Sequence, residues 1–84
     1  ENFERAQALF ERALSIQETT LGAEHPETVQ TLTDLAICHL DREDNNLGRP
    51  LLQRALELQT NILGPDHPDV DAIRDVLASL DAEL

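Results

Sequence analysis

The chain repeats itself at a shift of 42 residues, and that register constrains the fold more than any single motif. Sliding the 84-residue sequence by 42 places Leu9 on Leu51, Arg12-Ala13-Leu14 on Arg54-Ala55-Leu56 and Gln17 on Gln59. The same shift sets LGAEHPE (21–27) on LGPDHPD (63–69). Over residues 9–27 against 51–69, nine of nineteen positions are identical, and Leu35-Ala36 lands on Leu77-Ala78. A period of this size marks stacked supersecondary units, each too small to bury its apolar face alone.

Each period holds two helical patterns. Phe3, Ala6, Phe10, Ala13, Leu14, Gln17 and Leu21 fall at helical spacing, which makes one stripe of a first helix apolar. Gly22 then supplies a stop, because glycine takes the left-handed conformation at little cost. Val29, Leu32, Leu35, Ala36, His39 and Leu40 form a second stripe behind Pro26, with Glu27 at the positive end of the helix dipole. The polar run DREDNN (41–46) reads as a tight connection. Asn46 is the expected N-cap of the third helix, which would keep Pro50 inside the first turn, where proline does no harm. Leu51, Leu52, Ala55, Leu56, Gln59, Ile62 and Leu63 carry that helix to Gly64. Val70, Ile73, Leu77, Leu80 and Leu84 mark a fourth behind Pro68. The periodicity thus predicts helices over about residues 2–21, 27–42, 46–63 and 68–82. Their short connections make neighbours antiparallel. The predicted fold is a single all-α domain over residues 1–84.

Composition narrows the partners. Seventeen Asp and Glu face six Arg, with no Lys, for a formal net charge of −11. Nucleic acid and anionic membrane surfaces would be repelled, and a basic partner is the electrostatically sensible one. The alternative is that these acids are simply a solvated surface that keeps the chain soluble. Cys38 is the sole cysteine, so no internal disulfide forms and a cytoplasmic setting is the default expectation. No apolar run approaches the roughly 18 residues of a membrane span, and the first residues lack the regions of a signal peptide.

The segments ALFERALSIQETTLGAEHPETVQTLTDLA and PLLQRALELQTNILGPDHPDVDAIRDVLA resemble the 42-residue variety of the tetratricopeptide repeat found in kinesin light chains and nephrocystin. The resemblance implies a solenoid of helix A–turn–helix B units. RAL then lies in helix B, LGxxHP links to the next helix A, and LA lies inside helix A. In that phase the chain holds one complete repeat at about 27–63, flanked by two half repeats. The small residues Ala6, Ala13, Ala36, Ala55 and Ala78 stand where helix axes approach closely, and Gly48 fills the slot of Ala6. Where the family usually has Tyr this chain has His39 and Asp81. Where it favours an Asn pair before LA the chain has Thr33-Asp34 and Asp75-Val76. Arg74 takes the place of an apolar residue.

The resemblance also implies function: protein–protein interaction, as a scaffold, an adaptor or a sensor element. If helices A line a concave face, Gln30, Thr33, Asp34, Ile37 and Asp41 face it from the second helix. Ala72, Asp75, Ser79 and Glu83 follow from the fourth. That surface carries carboxylates and no basic residue, so it should prefer a Lys- or Arg-containing peptide. The alternative is a structural module that stacks or self-associates. The first helix lacks an A partner, which leaves Phe3, Phe10 and Leu14 with apolar surface for a missing upstream repeat to cover, or for a second copy as a homodimer.

Catalytic and metal readings are weak. His25 and His67 each have only Glu24 or Asp66 beside them, without the converging ligands of a zinc site. They read as part of a helix start or of inter-repeat packing. Cys38 and His39 are adjacent on a helix and point about 100° apart, so they make no nucleophile–base pair. Cys38 reads as a small packing residue. No phosphate loop or Ser-His-Asp set appears. No enzymatic activity, metal or cofactor is expected.

Overall fold

The computed structural model describes residues 2–82. Four α-helices run in sequence: α1 Phe3–Thr20, α2 Pro26–Asp41, α3 Asn45–Leu63 and α4 Pro68–Ala82. Helix α2 packs against α1 and α3, and α3 packs against α4. Among the described residues there is no strand, and the fold is an all-α array of antiparallel helical repeats.

The helix ends follow from local chemistry. After α1 the chain turns at Gly22, whose φ of 93° is a left-handed value. The amides of Leu21 and Gly22 both donate to the Gln17 carbonyl, which satisfies an acceptor that the last helical turn would otherwise leave open. Gly64 repeats the device after α3, with φ 95° and its amide on the Thr60 carbonyl.

The third helix starts earlier than its sequence suggests. Asp44, not Asn46, is the N-cap, and its carbonyl accepts the amides of Leu47 and Gly48. Glu43 adopts φ 62°, a left-handed conformation that reverses the chain within residues 42–44 and lets the helix begin at Asn45. Pro50 therefore lies beyond the first turn, inside the helix. It cannot donate to the Asn46 carbonyl. Both residues are exposed, so water can reach that carbonyl and the cost is reduced.

The core is a cluster of Leu32, Ala36, Leu52, Ala55, Ile73 and Leu77, drawn from α2, α3 and α4. Ala36 and Ala55 have no exposed surface, and α2 and α3 approach closely at Gly48. A Cβ there would come within 2.5 Å of Leu40 Cδ2 and 3.2 Å of the Ala36 carbonyl oxygen. Ala78 departs from the expected set of close-approach residues. It is exposed, because no described helix packs on that side of α4.

Candidate functional site

The two histidines of the repeated connector work as caps. The Glu27 amide donates to His25 Nδ1 at 3.1 Å, and the Asp69 amide donates to His67 Nδ1 at 3.0 Å. Each imidazole thus fills, at the start of α2 or α4, the place that Ser, Asp or Asn usually takes. The bond requires a bare Nδ1, which assigns the ring proton to Nε2. The Asp69 carboxylate lies 3.9 Å from His67 Nδ1, too far for a hydrogen bond. Among the described residues no three His, Cys, Asp or Glu side chains converge as a metal-ligand set.

A groove of about 260 Å³ opens between α1 and α2. Phe3, Ala6 and Phe10 wall it from α1; Asp34, Ile37, Cys38 and Asp41 wall it from α2. It unites three expected peptide-facing residues of α2 with two aromatic residues expected to serve self-association. Ile37 is exposed, so the groove offers an apolar floor between two carboxylates. Gln30 Nε2 donates to Asp34 Oδ1 at 3.0 Å and orients that carboxylate. Thr33 turns its hydroxyl back onto the Val29 carbonyl, 2.9 Å away, and so offers less to a ligand than its position suggests. On α4, Ala72, Asp75 and Ser79 are exposed on one side, and Glu83 lies outside the described residues.

The apolar surface of α1 differs from the expected set. Leu14 is half-buried against the core cluster, since α2 covers that side of the helix. The large side chains left open are Leu9 and Ile16, 65% and 56% exposed, together with Phe3 at 42%. The repeat carried a signal for the first two. A shift of 42 sets Leu9 on Leu51 and Ile16 on Leu58, and both of those leucines pack against the core.

Cys38 is buried, and its thiol points at the Phe3 carbonyl, 3.7 Å away. His39 is also buried, with Nδ1 lacking a partner among the described residues. Arg74, standing where α2 has the buried Leu32, is exposed and donates to the Pro65 carbonyl and to Asp71. Asp81 pairs with Arg49 across α3 and α4. The outer side of α4 is therefore polar where the inner side of α2 is apolar. No described helix is long and apolar enough to cross a membrane.

Comparison with known families agrees with this architecture. Two tetratricopeptide repeat models match, one over residues 1–47 and the other over residues 28–69. No curated protein sequence matches the chain. With four antiparallel helices, a 42-residue internal period and family models that together span most of its length, the chain belongs to the tetratricopeptide repeat family.

Proposed function

We propose that the chain is a protein-interaction module that holds a basic peptide along its acidic α2 and α4 surface. Tetratricopeptide repeats generally mediate protein–protein interaction. The observation that carries the finer reading is the α1–α2 groove, where Asp34 and Asp41 flank the exposed Ile37. An apolar side chain of a peptide fits the floor, and a Lys or Arg on either side meets a carboxylate. Asp75, exposed on α4, extends the acidic surface. In this reading residues of about 27–63 form one complete repeat, with a half repeat on each side.

The test is titration of a labelled Lys/Arg-rich peptide, followed by fluorescence anisotropy at low and high salt. Each of Asp34→Asn, Asp41→Asn and Asp75→Asn should weaken binding about two- to fivefold, the worth of a partly screened charge pair. Binding that is indifferent to all three substitutions and to salt would sink the reading.

A second reading, self-association, is favoured by the exposed apolar side chains of α1, Phe3 among them. Sedimentation analysis separates the two. A dimer that survives high salt and dissociates on Phe10→Ala belongs to the second; a monomer at all concentrations removes it.

A further inference from the structure

We infer that a pocket where α1, α2 and α3 meet receives a tyrosine side chain of a partner protein. The pocket holds about 310 Å³, at the lower end of the range of ligand sites and suited to one large side chain. Asp34, Asp41 and Asp75 take no part in its lining, so the proposal goes beyond the acidic-surface reading.

The internal repeat shows what sets this pocket apart. A shift of 42 places Gln7 on Arg49 and His39 on Asp81. Arg49 and Asp81 pair with each other across α3 and α4, so that copy satisfies itself. In the other copy Gln7 is already engaged: its Oε1 accepts from Arg42 at 2.9 Å and its Nε2 donates to Glu11 at 3.3 Å. His39 is left in the pocket lining, only 4% exposed, with Nδ1 lacking a partner among the described residues. A buried polar atom without a hydrogen bond is costly, and a ligand that supplies the bond removes that cost.

The walls select the occupant. Leu47, Pro50 and Leu51 of α3 form an apolar side, and Gln7 and Glu11 of α1 form a polar one. The side chain that fits has an apolar body and a polar tip. A neutral imidazole offers one donor and one acceptor. A phenol hydroxyl both donates and accepts, so it satisfies His39 in either tautomer, and rotation about the Cβ–Cγ bond of His39 can turn either ring edge to meet it. Lysine or arginine would set a charge against the apolar side and could not accept a hydrogen bond. An indole only donates, phenylalanine does neither, and serine is too short to fill the space. A second copy cannot supply the occupant, because the 84-residue chain has no Tyr.

The probe is a short uncharged peptide, acetylated and amidated, with one central Tyr among Gly, Ser and Asn. The chain contains neither Tyr nor Trp, so the fluorescence anisotropy of the peptide's own phenol reports binding as the chain is titrated in. Saturation is expected with a Kd of about 0.1–1 mM, fitting a single anchored side chain. The same peptide with Phe for Tyr should compete about tenfold less well, the worth of one hydrogen bond. His39→Phe keeps a buried ring without nitrogens and should erase that preference. Leu47 is 53% exposed in the first turn of α3, where an acid suits the helix dipole, so Leu47→Asp should leave the helical circular dichroism intact and weaken binding tenfold or more. High salt, Asp34→Asn and Asp75→Asn should change nothing, which separates this site from the acidic surface. No binding up to about 1 mM chain, equal competition by the Phe peptide, a Tyr preference that survives His39→Phe, or binding unmoved by Leu47→Asp would each overturn the proposal. Loss of binding in a longer natural form of the chain would assign the pocket to a segment of the same polypeptide and overturn it as well.

Discussion

Helices α1 and α3 are nearly the same helix placed in two environments. They share Arg-Ala-Leu and Gln at matching positions, end in the same Leu-Gly, and carry similar apolar stripes. Yet α3 buries Gly48, Leu52 and Ala55, and α1 buries no residue at all. The difference lies in neighbours: among the described residues α3 is flanked by α2 and α4, whereas α1 packs on α2 alone. A helix stripe of given sequence thus stabilises in proportion to the surface brought against it, about 25 cal/mol per Å² of apolar area.

The largest expected contrast comes from equivalent truncations. Leu52→Ala, at a site 2% exposed, should cost about 2–5 kcal/mol by thermal or urea unfolding. Phe10→Ala, at the matching half-buried site, should cost less despite removing a larger side chain. Equal losses would mean that α1 is covered in solution.

Enlargement should break the symmetry in the opposite way. Ala55→Leu, at a site with no exposed surface, should destabilise by about 1–3 kcal/mol, while Ala13→Leu, at the matching half-buried site, should cost less. Gly48→Ala belongs with the first of these, because the Leu40 side chain must move to admit a Cβ. Its gain of about 1 kcal/mol in helix propensity offsets part of the loss.

Smaller effects sharpen the local differences. Pro50 stands where α1 has Ala8, so Pro50→Ala should stabilise by about 1 kcal/mol or more through the restored bond to the Asn46 carbonyl. His25→Ala and His67→Ala should each cost about 1 kcal/mol by loss of a cap, and Asn at either position should recover most of it. Hydrogen exchange should show the α1 amides opening at lower free energy than those of α3. Protection of α1 equal to that of α3 would contradict its one-sided packing.

Much of the fold was legible in the sequence, because helix ends and stripes are local matters. Gly22, Gly64 and the His-Pro pairs punctuate the helices from within a few residues. The misplaced start of α3 has an equally local cause: Glu43 accepts a left-handed conformation that its residue type disfavours, and nothing in DREDNN announces it. The histidines were readable as parts of a helix start, but their bond to the amide two residues on needed coordinates. The α1 face was half legible. Phe3 and Phe10 stood out as aromatics, whereas Leu9 and Ile16 lay one step off the stripe that packs on α2 and emerged only through comparison with Leu51 and Leu58.

The sequence by itself determined the helices, their order, the 42-residue register and the acidic character, since each depends on residues within a turn or two or on composition alone. The tertiary structure decided which stripe is covered. Leu9 and Leu51 are the same residue in the same local pattern, yet one is open and the other packed. Burial is a property of what lies across the interface, and no local pattern contains it.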